Sequence, residues 1–146
     1  MSITSDTIER EVIVKAPQER VYSAITDPAQ ITQWFPDAIE GDFVVGAQPV
    51  LNFGTDGKAR IKIIDAKPFE YFAFRWVPGG GEVVADVTAV VTTLVEFMVE
   101  GMGDETKVTV KESGFSGFGP EVAKEKFEMN SGGWEYMMDR FEKFFA

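Results

Sequence analysis

Four stretches of this chain alternate apolar and polar residues with a period of two, and one long segment with helical spacing closes it. Ala59, Ile61 and Ile63 lie on one side of an extended stretch, opposite Arg60 and Lys62. Phe72, Phe74 and Trp76 stand opposite Ala73 and Arg75; Val95, Phe97 and Val99 oppose Glu96 and Glu100. Val108 and Val110 oppose Lys107 and Lys111. Such strands belong to a sheet that is covered on one face. The cover comes from the C-terminus, where Phe127, Trp134, Met138, Phe141 and Phe145 recur at helical spacing. A sheet with one apolar face and one long helix to lie on it makes a container, and its interior is the first place to look for a ligand.

The rest of the chain fits between these parts. Thr7 to Lys15 reads as a first strand. Pro17 suits the first turn of a helix, whose face carries Val21, Ala24 and Ile25. Asp27 caps a second short helix that opens on Pro28, carries Ile31 and Trp34, and stops at Pro36. Further strands are expected at 41–45, 49–53, 58–66, 71–77, 92–100 and 106–113. Asp56-Gly57, Gly103-Asp104-Glu105 and Lys67-Pro68 break them, so an antiparallel meander follows. Asn130-Ser131-Gly132-Gly133 is expected to kink the last helix, since each glycine costs about 1 kcal/mol relative to alanine. The spacing shows no repeat and no linker, so residues 1–146 are expected to be a single domain.

Composition removes several functions. The net charge is −10, with acids spread along the chain, which disfavours nucleic acid and anionic membranes as partners. No run approaches the ~20 apolar residues that span a bilayer, and no signal peptide is visible. Cysteine is absent, which fits a reducing, cytoplasmic location. Histidine is absent too, which takes away the commonest general base and the Cys/His zinc sites. No metal and no cofactor are expected. The glycine-rich Pro78 to Glu82 lacks the residues of a phosphate loop and reads as a mobile loop.

Among the acids, Glu96, Glu100, Asp104, Glu105, Glu135, Asp139 and Glu142 read as solvated surface; Glu112 stands apart because it lies at a strand end beside the flexible 114–119 loop. The remaining signal is aromatic. There are 13 Phe and 3 Trp, more than a compact core of this size needs. The alternative is that these rings simply fill the interior. As walls of a cavity we single out Trp34, Phe53, Phe74, Trp76, Phe97, Phe115, Phe127, Trp134 and Met138, with Asn130 and Tyr22 as polar groups able to orient a ligand.

In order and kind, several of these residues resemble the START-like (SRPBCC, helix-grip) superfamily. They are Ala16-Pro17 with Val21 and Ala24; Thr26-Asp27-Pro28 with Trp34; Gly57 before the Ala59–Ile63 stretch; Phe74 with Trp76; Thr106 with Val108 and Val110; and Gly133-Trp134 with Met138 and Phe141. Within the superfamily the chain is most similar to bacterial single-domain proteins named after the activator of the heat-shock protein 90 ATPase. The resemblance implies an α+β fold, β-α-α-β6-α, with a curved antiparallel sheet wrapped around the C-terminal helix. It also implies a hydrophobic cavity between them. The segment 82–92, with Val83, Val84, Val87, Val90 and Val91, is longer and more apolar than the usual connection; it would extend two strands, cover the cavity or form a dimer contact.

The expected function is therefore binding of a small hydrophobic or amphipathic molecule between sheet and helix, with the 114–119 loop as gate. No catalytic residue is assigned. The alternatives are a protein-binding module that regulates a chaperone ATPase, with a chaperone or a second copy of the chain as partner, and a polyketide cyclase-like enzyme.

Overall fold

The computed structural model describes residues 6–79 and 83–146. Strand β1 (Thr7–Val14) leads into helices α1 (Gln18–Thr26) and α2 (Pro28–Ile31). Strands β2 (Ala38–Glu40), β3 (Val50–Asn52), β4 (Lys58–Lys67), β5 (Tyr71–Trp76), β6 (Thr93–Met102) and β7 (Glu105–Ser113) follow, and α3 (Pro120–Phe144) ends the fold. The seven strands form one sheet in the order β1-β7-β6-β5-β4-β3-β2, with antiparallel pairing throughout. This is the helix-grip arrangement: a curved sheet closed upon one long helix.

Local chemistry accounts for the element ends. Pro17 and Pro28 sit where a helix begins and an amide N–H would have no intrahelical partner, and the Asp27 side chain accepts from Ala29 N as an N-cap. A bulge between Ile63 and Asp65 of β4 turns Ile64 outward and restores the phase for Ala66. The inward faces are those expected: Ile61 and Ile63, Phe72, Phe74 and Trp76, Val95, Phe97 and Val99, Val108 and Val110 are all buried.

The structure corrects four expectations. The strand expected at 41–45 lies instead at Ala38–Glu40; Gly41 and Gly46 adopt positive φ and turn the chain, leaving Val44 and Val45 exposed. The Asp56-Gly57 break is a short 3-10 turn over Gly54–Asp56 that ends at Gly57, not a two-residue hairpin. The glycine pair 132–133 does not interrupt α3, which runs through it for 25 residues. The 83–92 segment extends no strand. It forms a 3-10 turn over Val87–Ala89 that docks on β4, with Arg60 donating to Val84 O (2.7 Å) and Gln48 bonded to both Asp86 and Val87. Residues 80–82 of the expected mobile loop lie outside the described residues. Among the described residues, no helix is long and apolar enough to cross a membrane.

Candidate functional site

The inward register that buries Val108 and Val110 on β7 also points Thr106 and Glu112 inward, because side chains two apart share a face. Glu112 is fully buried. It pairs across the sheet with Ile8 of β1 and Val95 of β6. Four side chains donate to its carboxylate. Oε2 accepts from Trp76 Nε1 (2.8 Å) on β5 and from Thr93 Oγ1 (2.5 Å) on β6. Oε1 accepts from Trp134 Nε1 (2.8 Å) and Asn130 Nδ2 (2.8 Å), both on α3. One oxygen therefore serves the sheet and the other serves the helix. Asn130 and Trp134 are four residues apart and so lie on one side of α3, while Trp76 and Thr93 face each other across β5 and β6.

This carboxylate is a clasp between the two layers. An indole N–H can only donate, and an ionised carboxylate only accepts, through about four lone-pair sites. The four donors fill those sites, and no buried side-chain polar atom is left unpartnered among the described residues. Among the described residues, none of the ion pairs reaches Glu112, and its hydrogen-bond partners are neutral.

Beside the clasp the packing opens. A cavity of about 90 Å³ is lined by Phe35, Phe53, Trp76, Asn130, Gly133, Trp134 and Met137. Three of these are Glu112's donors. A second recess of about 150 Å³ shares Phe53, Trp76 and Asn130 and is lined also by Asp56, Gly57, Lys58 and Gly79. The rings around the inner cavity touch one another: Phe35 stacks on Trp134 (5.4 Å between centroids, 26° between planes) and meets Phe53 edge-on (5.3 Å, 74°), while Trp76 and Trp134 lie 6.1 Å apart. A Cβ placed on Gly133 would meet nothing within 4 Å, so this glycine leaves room at the helix surface.

Of the residues singled out from sequence, Phe53, Trp76, Asn130 and Trp134 line this cavity. Trp34, Phe74, Phe97 and Met138 are buried in the packed interior next to it. The Trp34 indole donates to Ala24 O (2.8 Å) and its ring meets Phe97 and Phe141 edge-on. Phe115 and Phe127 pair with each other, 5.4 Å apart, and neither lines the cavity. The Tyr22 hydroxyl donates to Tyr71 O (3.0 Å), away from the cavity. The 114–119 loop does not flank the opening; it forms a 3-10 turn over Phe115–Phe118, and Asp6 accepts from the Gly114 and Ser116 amides. The Ser116 amide first, then the Ser116 hydroxyl and the Gly114 amide, hold the Asp6 carboxyl below its ordinary pKa.

Sequence reasoning missed Phe35, Thr93, Gly133 and Met137 as lining or clasp residues and left Glu112 undecided. The parity of β7 was a usable signal for Glu112, because it shares a side with Val108 and Val110. Nothing in the residue order signals its partners.

With the geometry established, comparison with known proteins gives the family. The sequence model of the activator of Hsp90 ATPase homolog 1-like proteins matches residues 15–146. The chain belongs to this family. No curated protein matches it in sequence. Among solved structures it is similar to DynU16, from the dynemicin biosynthetic locus (TM-score 0.77, 23% identity), covering 97% of this chain and 47% of that one, so it spans about half of DynU16. It is also similar to a Mesorhizobium loti protein (TM-score 0.76, 17% identity; 94% and 95% covered) and to the Aha1 dimer of Colwellia psychrerythraea (TM-score 0.75, 17% identity; 95% of each). At these identities the likeness is one of fold, and it places the family member within the START-like architecture.

Proposed function

We propose that this family member binds a small, mostly apolar molecule in the cavity between β3, β5 and α3, with Phe53, Trp76 and Trp134 as walls and Asn130 as the polar group at the opening. The observation that carries this reading is the buried Glu112 clasp at the cavity edge. Burying a carboxylate is expensive, and well-packed apolar residues in its place are often as stable or more so. A buried ionisable group beside an aromatic-walled opening is therefore a candidate functional site. The void is smaller than the roughly 300–1,000 Å³ of drug-sized sites. A ligand of a few non-hydrogen atoms fits as it stands; a longer one extends into the adjoining recess. The Glu112 clasp keeps the two walls in register whether the cavity is filled or empty.

Native mass spectrometry of freshly purified protein, with denaturing extraction of whatever is released, tests this together with quenching of tryptophan fluorescence by a panel of small aromatic and aliphatic molecules. A bound small molecule, or saturable quenching that is lost in Phe53→Ala, supports the reading. A bare chain mass combined with no saturable quenching by any member of the panel removes it and moves the weight to the chaperone-regulating module that the family description suggests.

A further inference from the structure

The occupant's charge is the next question, and it rests on the binding reading above. Glu112 is a buried acid whose hydrogen-bond partners are all neutral. Among the described residues, hydrogen bonds hold it and no ion pair does. The cations on the elements around Glu112 and the recess are otherwise engaged: Arg10 donates to Ser131 Oγ (2.6 Å) and Ser131 O (3.3 Å), Lys58 pairs with Glu40 (2.9 Å), and Lys126 donates to Pro78 O (2.7 Å) and lies over the Phe118 ring. The mouth adds a further acid, Asp56, and the whole chain is net negative by ten charges.

The walls complete the pattern. Four rings, those of Phe35, Phe53, Trp76 and Trp134, line this cavity. Trp76 and Trp134 each commit their N–H edge to Glu112, which leaves ring to face the cavity. An indole that donates to an anion becomes richer in π-electron density, because hydrogen-bonded groups polarise one another at low dielectric. Ring faces attract cations, tryptophan most strongly, and cages of several rings recognise substituted ammonium groups. We propose that the cavity takes a small organic cation, a substituted ammonium group, held against the rings of Phe53, Trp76 and Trp134, with the Glu112 carboxylate one ring away and Phe35 stacked between Trp34 and Trp134 as the floor. The ring-lined cavity of about 90 Å³ is suited to a compact ammonium head, and the adjoining recess to whatever the head is attached to.

Choline and its uncharged isostere, in which carbon replaces the ammonium nitrogen, are titrated side by side into the full chain by calorimetry, with indole titrated in the same way as a neutral control for the cavity. Choline is expected to bind at least about tenfold more tightly than the isostere, as desolvated cation–π contacts imply. Phe53→Leu, which keeps an apolar side chain at a half-buried position, is expected to narrow that ratio severalfold. Glu112→Gln, where it folds, is expected to remove most of it. Equal binding of the two probes, or binding of indole without choline, overturns the cation inference and leaves small-molecule binding standing. Binding of none of the three at millimolar concentration overturns both.

Discussion

The two ends of the interior use tryptophan in opposite ways. At the closed end, under α1 and α2, Trp34 is fully buried, gives its N–H to a backbone carbonyl and packs edge-on against Phe97 and Phe141. At the open end, Trp76 and Trp134 are nearly as buried but give their N–H groups to a shared carboxylate and border empty space. The first arrangement fills the core. The second uses a buried carboxylate to fix two touching rings beside an opening. Burial alone does not separate the two roles; the partner of the indole N–H and the volume beside the ring do.

Substitutions can break this comparison. The largest effect is expected at the clasp. Glu112→Ala strands four donors, each costing about 1–3 kcal/mol when buried and unsatisfied, so a loss of roughly 4 kcal/mol or more should appear in urea unfolding. A loss under about 2 kcal/mol would show that helix and sheet are held by ring packing and not by the carboxylate. Trp34→Ala should follow at about 3–5 kcal/mol, the usual range for emptying a tightly packed aromatic site. Trp134→Ala should fall in the same range, because the smaller new cavity beside an existing void is offset by the donor that the buried Glu112 carboxylate loses. A clearly smaller loss than that of Trp34→Ala would show that the lost donor matters little and that the open end is loosely packed.

The glycine pair sharpens the comparison. Both glycines are exposed on α3, and a Cβ at either meets nothing. Alanine at either position should raise stability by up to about 1 kcal/mol through helix propensity. Gly133 lines the cavity and Gly132 does not. Gly133→Ala should therefore weaken ligand quenching, and Gly132→Ala should leave it unchanged. Thermal unfolding and the quench titration read both effects.

The smallest effect concerns Asp6. Amide donors lower its folded-state pKa, chiefly that of Ser116. A depressed acid contributes stability above its unfolded pKa and loses it as pH falls through the folded value. The unfolding midpoints of the parent and Asp6→Asn should therefore differ slightly near neutral pH. They should converge below about pH 4, the ordinary range of an aspartate. Ligand binding should not respond, because the 114–119 loop lies outside the cavity lining.

Most of the fold was legible. Period-two alternation identified the inward side of β4 to β7, and helical spacing identified α3. Two glycines in α3 were misread as a kink, because their low helix propensity is overridden when the flanking Trp134, Met138 and Phe141 are buried against the sheet. The strand at 38–40 was misplaced because three residues carry too short a pattern to read, while the exposed Val44 and Val45 mimic one. Of the site, the aromatic content was legible, but which rings fill and which frame was not.

The sequence by itself determined the order of elements, the side each strand buries, and that Glu112 falls in phase with Val108 and Val110. Those are local properties, written in periods of two and of about four residues. The tertiary structure alone decided that this acid would be clasped rather than exposed, because its donors stand 18 (Asn130), 19 (Thr93), 22 (Trp134) and 36 (Trp76) residues away. It alone also decided that the rings stop short of closing. A void is the difference between the space that the curved sheet and helix enclose and the volume of the side chains inside, and no local pattern encodes that difference.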